Sequence, residues 1–209
     1  MARIALLSGG KDSFYAASMY WPPDIGLILD YDAPIASPHL VNLSKTIETL
    51  RLAGLSRILV LHLHRGREMK DLINALRMLN ATEIIAGDVY IEDHLKYMES
   101  VASEAGARLR EPLWGADPEE LAYKIFLDEG YQALVIGAIH RLSHWLGRSL
   151  DKNIIAMFVE EARKLGLDPL GENGEYHTVL LRTPLHRKQL GYRLVDRIYE
   201  ANHVMLRLV

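Results

Sequence analysis

The chain has 209 residues, a formal net charge of −3, 49% hydrophobic and 24% charged residues, and no cysteine. That is the balance of a globular protein able to bury a sizeable core. It excludes disulfides, thiolate metal sites and cysteine nucleophiles, and it offers no global basic field for nucleic acid. Ile4-Ala5-Leu6-Leu7 reads as a short buried strand, and Phe14 to Tyr20 as a helix. Ile25 to Tyr31 is a second strand, ending in the acidic residues Asp30 and Asp32. From His39 to Gly54, apolar residues at Leu40, Leu43, Ile47, Leu50 and Ala53 fall at helical spacing and stop at a glycine. Arg57 to His64 is a third strand and Glu68 to Leu79 a helix. Thr82 to Gly87 is a fourth strand, Glu92 to Ala105 a helix closed by Gly106, and Arg108 to Leu113 a short strand leading into Trp114-Gly115.

Repeated strand-helix units with continuous apolar strands predict an α/β fold, a parallel sheet covered by helices on both faces. Ligands of such sheets bind beyond the C-terminal strand ends. Ser8 to Ser13, Tyr31-Asp32 and Gly87-Asp88 all fall at such ends, so they are expected to share one crevice.

The second half has a different texture, and a boundary is expected near residues 115–117. Asp117-Pro118-Glu119-Glu120 is a helix start: an N-cap, a proline in the first turn, then acids. Tyr131 to Ile139 reads as a strand and Asp151 to Leu165 as a helix ended by Gly166. Tyr176 to Leu181, Arg193 to Tyr199 and His203 to Val209 read as three further strands. No apolar run approaches the ~20 residues that span a bilayer. The first residues run straight into a strand, so no signal peptide is expected and the expected location is cytoplasmic.

The strand-turn-helix around Leu7-Ser8-Gly9-Gly10-Lys11-Asp12-Ser13 is a phosphate-binding pattern. The glycines let the backbone approach an anion, and the unpaired amides and dipole of the following helix favour negative charge. Ser8 and Ser13 add hydroxyls, Lys11 a charge, and Asp12 a ligand for magnesium. It is not a Walker A loop, which needs four residues between its first glycine and the Gly-Lys pair.

Gly171-Glu172-Asn173-Gly174-Glu175-Tyr176-His177-Thr178 packs two carboxylates, an amide, a phenol, an imidazole and a hydroxyl at a strand entrance. Glu172 and Glu175 are candidates to bind magnesium, contact phosphates or take a proton from an amine. A solvated loop with a β-turn at Asn173-Gly174 is the alternative. In Trp145-Leu146-Gly147-Arg148-Ser149-Leu150-Asp151, Arg148 suits a phosphate or carboxylate. The plainer alternative is a surface arginine, with Asp151 capping the next helix. His62 and His64 alternate on one strand and face the same side. A catalytic zinc site wants three ligands and no third is evident, so they read as a partly buried strand-end pair.

The Ser-Gly-Gly-Lys-Asp-Ser spacing resembles the PP-loop of the ATP pyrophosphatases, which split ATP to AMP and pyrophosphate. Three more stretches join it: Pro112-Leu113-Trp114-Gly115, Trp145-Leu146-Gly147-Arg148 with Leu150-Asp151, and Gly171-Glu172-x-Gly174-Glu175-Tyr176-x-Thr178. With His39-x-x-Asn42, their order and spacing resemble the diphthine–ammonia ligase family over nearly the whole chain. The resemblance implies an ATP-binding PP-loop domain at 1–116, of the HUP type with a Rossmann-like parallel sheet. It implies a smaller α/β substrate-binding domain at 117–209.

The implied activity is an AMP-forming acid–ammonia ligase using ATP and Mg2+. Its substrates would be ammonia and elongation factor 2 carrying diphthine; no nucleic acid or membrane partner is expected, and a homodimer is compatible with the sequence. The implied catalytic residues are Lys11, Asp12, Glu172 and Glu175. Ser8, Gly9, Gly10, Lys11, Asp12, Ser13, Tyr31 and Gly87 would bind ATP, with Asp12 on the metal. His39, Asn42, Trp114, Arg148, Gly174, Tyr176, His177 and Thr178 would line the substrate side. The diphthamide-forming ligases usually read Glu-Gly-Gly-Glu-(Phe/Tyr)-Glu-Thr, so Asn173 and His177 depart from the pattern and resemble a related branch. Two alternatives follow: a PP-loop ATP pyrophosphatase with another acyl or RNA substrate, or a non-catalytic adenine-nucleotide module.

Overall fold

The structure, a computed structural model, describes residues 1–32 and 37–209. The described chain forms two compact units. Met1–Ser8, Asp12–Pro34 and Leu55–Gly115 make the first; Gly9–Lys11, Ile35–Gly54 and Ala116–Val209 make the second. The elements run β1 (Ala2–Leu6), α1 (Lys11–Ser18), β2 (Ile25–Tyr31), α2 (Pro38–Val41), α3 (Leu43–Leu52), β3 (Ile58–Leu63), α4 (Glu68–Met78), β4 (Ala81–Ile85), α5 (Glu92–Ala105) and β5 (Arg108–Arg110). They continue with α6 (Pro118–Tyr123), β6 (Gln132–Ile139), β7 (Ser149–Leu150), α7 (Ile155–Lys164), β8 (Tyr176–Arg182), β9 (Leu194–Tyr199) and β10 (His203–Leu208).

In the first unit the strands pair in the order β3-β2-β1-β4-β5, every pair parallel. This is the α/β, Rossmann-like arrangement expected from the continuous apolar strands. Ile4, Ile25, Leu27 and Ile84 from the strands bury against Leu72 and Leu76 of α4 and Val101 of α5. Each fully buried side chain of this size contributes about 1.5–3 kcal/mol of transfer free energy. The helix α5 stops where the sequence predicts. Gly106 closes α5 in the left-handed conformation with φ 73°, and Asn80 follows α4 at φ 53°.

The second unit carries an antiparallel sheet. One edge of β6 pairs with β8; its other edge is shared by β7 and β10, and β10 in turn pairs with β9. Asp117 caps α6 as its sequence foretells, with Oδ1 accepting from the amides of Glu119 and Glu120, both at 2.9 Å. α6 then runs into a π-helical turn at Lys124–Asp128. The single helix expected over 39–54 is instead two, α2 and α3, broken at Asn42 (φ −109°). The cause is that side chain. Fully buried, Asn42 donates through Nδ2 to the carbonyls of Pro38 and Leu206, both at 2.8 Å. Its Oδ1 accepts from the Leu208 amide at 2.8 Å. Asp151 does not cap α7 directly; it accepts from the Asn153 amide at 2.8 Å, one turn before the helix begins at Ile155. Among the described residues no helix is long and apolar enough to cross a membrane.

Candidate functional site

Within the first unit, the polar residues gather beyond the C-terminal ends of β1, β2 and β4. The Ser8 amide donates to Ser13 Oγ at 3.1 Å, and the two hydroxyls lie 3.0 Å apart. Both are therefore held at the mouth of α1. Asp12 sits in that first turn, where the dipole favours a carboxylate. Gly87 presses its backbone onto the same turn. A Cβ there would meet Ser13 Cα at 3.0 Å and the Asp12 carbonyl at 3.1 Å, so any other residue makes this backbone give by a few tenths of an ångström.

Tyr31 ends β2. Partial burial, followed by the neighbouring Tyr97, Asp88 and Glu68, pushes its phenol up to about 12, so it stays a hydrogen-bond donor across the physiological range. Asp88 accepts from His94 Nδ1 at 3.0 Å, and its amide donates to Glu111 Oε2 at 3.2 Å. Trp114, half-buried, lies in the turn after β5, its amide on the Glu111 carbonyl.

Within the second unit, Gly9–Lys11 dock on the outer edge of β8. The Leu180 amide donates to the Gly9 carbonyl at 3.0 Å, and the Lys11 amide donates to Thr178 Oγ1 at 3.3 Å. Gly9 has φ 79°, and a Cβ on it would meet Thr46 Cγ2 at 2.9 Å. The Lys11 side chain is 2% exposed. Its Nζ donates to the Leu170 carbonyl at 2.6 Å and lies 4.6 Å from the centre of the Tyr176 ring. A buried ammonium needs such compensation, here from a carbonyl and an aromatic face.

The loop before β8 is tied by two carboxylates. Asp168 accepts from the amides of Leu170 (2.8 Å) and Glu172 (3.0 Å). Glu175, buried, accepts from the Asp168 amide (3.3 Å), the Asn173 amide (3.0 Å) and Asn173 Nδ2 (3.2 Å). The Gly171–Gly174 turn closes with an amide-to-carbonyl bond of 3.0 Å. Tyr176 donates its hydroxyl to the Pro169 carbonyl at 3.0 Å. Glu175 thus orders the loop, Glu172 is half-buried beside it, and the strand residue Thr178 holds Lys11.

His177 lies beside Lys11 and two other histidines. The His39 ring stands edge-on to it at 5.5 Å, and the His203 ring lies at 6.5 Å. Burial, then His203 and Lys11, bring its pKa down to about 4, so the imidazole is neutral at neutral pH. His203 Nε2 donates to the Gly174 carbonyl at 3.0 Å, fixing that tautomer.

The structure thus brings together Lys11, Glu175, Tyr176, His177, Thr178 and His39 in one unit, and Ser8, Asp12, Ser13, Tyr31 and Gly87 in the other. Asn42 instead turns inward on β10. Arg148 is exposed, its guanidinium 5.1 Å over the ring of buried Trp145. Asp168 is not among the residues expected at the site; the signal it carried was an Asp-Pro pair, whose carboxylate commonly binds the amides just ahead.

A parallel Rossmann-like sheet with a glycine turn at the end of its first strand, followed by an antiparallel domain, defines an α/β protein of the architecture found in ligand-binding enzymes. Residues 117–207 match the model of the diphthamide synthase C-terminal domain. No curated protein matches the chain. Among solved structures, a similar chain is a predicted subunit of tRNA methyltransferase from Methanocaldococcus jannaschii. It is 15% identical, with a TM-score of 0.45, and the match covers 87% of this chain and 97% of that one.

Proposed function

We propose that the protein is a cytoplasmic, ATP-dependent ligase that adenylates a carboxylate and amidates it with ammonia, its substrate being diphthine on elongation factor 2. The observation that carries this reading is the diphthamide synthase C-terminal domain over residues 117–207. The geometry of the first unit supports the nucleotide half. Ser8 and Ser13 present two hydroxyls 3.0 Å apart at a helix start, and the Gly87 backbone packs tightly on Asp12 and Ser13. That donor set fits polyphosphate, and the Asp12 carboxylate fits magnesium.

ATP with Mg2+ supplies a leaving group far better than hydroxide for an otherwise unreactive carboxylate, with pyrophosphate released. The Ser8 and Ser13 hydroxyls would hold the phosphates and stabilise charge on the departing oxygens. Lys11 anchors the Gly9-Gly10 turn through Leu170 and Tyr176. Glu175 and Asp168 hold the loop that carries Glu172, leaving Glu172 to meet the amine. His177, neutral, and His39 would shape the acyl side. The test is incubation with ATP, Mg2+, ammonia and diphthine-bearing elongation factor 2. AMP and the amidated residue are expected; ADP in place of AMP overturns the chemistry, and AMP only with another carboxylate overturns the substrate.

A further inference from the structure

His62 and His64 play no part in that reading, and the structure departs from the partly buried strand-end pair expected of them. Both are well exposed, with side-chain exposures of 50% and 66%. β3 is an edge strand of the parallel sheet, so this stretch faces solvent along one side. Their spacing puts both rings on one face, and the rings meet edge-to-face with centroids 4.9 Å apart.

Each ring is held from behind by a carboxylate. Asp30, in register with His62 on the neighbouring strand, accepts from His62 Nδ1 at 3.0 Å. Asp71 of α4 accepts from His64 Nδ1 at 2.8 Å and from the His64 amide at 3.1 Å. A carboxylate only accepts, so Nδ1 carries a proton in both rings, and in the neutral form of each ring the lone pair lies on Nε2. Neither Nε2 takes a hydrogen bond from the described residues. This is the arrangement that metal-bound histidines adopt: one nitrogen on the ion, the other donating to a carboxylate that fixes the ring.

We propose that His62 and His64 form an exchangeable binding site for a transition-metal dication of the zinc or copper class. Two imidazoles sharing one ion at about 2.0–2.1 Å hold their centroids roughly 4.5–5.5 Å apart, and the observed spacing falls in that range. Imidazole donors select zinc, copper or nickel over magnesium. Among the described residues no group of three or more His, Cys, Asp or Glu side chains converges on an ion. The site is therefore open: two protein nitrogens, with water or a donor from another molecule completing the shell. Such a site exchanges its ion with solvent instead of building the fold.

The test uses the whole, tag-free chain. Calorimetric titration with Zn2+ is expected to show one site that excess Mg2+ does not displace. The Cu2+ form is expected to give a paramagnetic resonance spectrum split by two nitrogens. His62→Ala and His64→Ala should each weaken Zn2+ binding at least about tenfold, and Asp71→Asn about 10–100-fold by releasing the His64 ring. His144→Ala, removing another half-exposed histidine paired with a carboxylate, should change nothing. All these side chains are exposed or at the surface, so a melting curve without metal is expected to match the parent. Zn2+ binding unchanged in His62→Ala and His64→Ala, or lost equally in His144→Ala, overturns the proposal, as does displacement by Mg2+.

Discussion

The ammonium of Lys11 rests on the carbonyl of Leu170 at 2.6 Å, a bond between residues 159 positions apart in the chain. The turn that the sequence marks as a phosphate grip is thereby fastened to the loop that carries Glu172 and Glu175. Replacing Lys11 with methionine keeps the aliphatic stem but leaves the Leu170 carbonyl buried and unmatched. The expected cost is about 1–3 kcal/mol, read as a lowered midpoint in chemical denaturation. AMP formation is expected to fall with it.

Asp12→Ala separates binding chemistry from folding. The carboxylate lies in the first turn of α1, where its loss removes a favourable dipole contact of about 0.3–1 kcal/mol. The protein should stay folded by circular dichroism while Mg2+-dependent AMP formation is abolished. Full turnover in Asp12→Ala would remove it from the metal role.

Gly87→Ala places a methyl 3.0 Å from the Ser13 Cα and 3.1 Å from its amide. Backbone has to move, and overpacking of this kind costs about 1–3 kcal/mol. ATP affinity should drop at the same time, measurable by nucleotide titration. Gly174→Ala is strained by its φ of 82° but has open space around it, so it should affect the loop and not ATP affinity.

Glu175 receives three hydrogen bonds and is 7% exposed. Glu175→Ala leaves two backbone amides without an acceptor, at about 1–3 kcal/mol each. Glu175→Gln retains one oxygen acceptor and should recover part of the stability. A variant that loses turnover but keeps full stability would make Glu175 a reacting group instead of a loop anchor.

His177 makes stability depend on acidity with a definite sign. Its folded pKa is about 4, below the ordinary value of 6.5. Above the upper value the ring is neutral in both states and contributes no pH dependence. Between the two values the unfolded chain binds the proton and the folded chain does not, so stability falls as pH drops through that window and levels off below it. Proton resonances of the His177 ring should titrate near the lower value, and His177→Asn should flatten the window. A titration near the ordinary value contradicts the burial argument.

Much of the first unit was legible because its strands are continuous apolar runs and α5 carries a glycine stop; Gly106 sits where the chain turns left-handed. Asp117 declared its helix for the same local reason. What local pattern does not carry is a side chain committed to a partner over a hundred residues away. Asn42 is expected on the substrate side through the His39-x-x-Asn42 resemblance, yet its amide bonds to β10 break the expected helix in two. Lys11 and Glu175 read as reactive groups by type, whereas burial gives both anchoring contacts, a distant one for Lys11 and ones within its own loop for Glu175. The exposure of His62 and His64 follows from β3 standing at a sheet edge, a fact of topology and not of composition.

The Gly9 carbonyl that receives Leu180 bears on how the gene is dissected. β8 pairs with β6 on one side, and on the other its Leu180 amide donates to Gly9 and its Thr178 hydroxyl accepts from Lys11, both from near the chain's start. A clone beginning at residue 117 would contain every strand of the antiparallel sheet, yet it would lack that lid and the helices α2 and α3. Its β8 would present a bare row of amides and carbonyls, the usual seed for sheet-to-sheet aggregation. Permuted or co-expressed pieces that restore residues 9–11 and 37–54 are the sound way to obtain this unit alone.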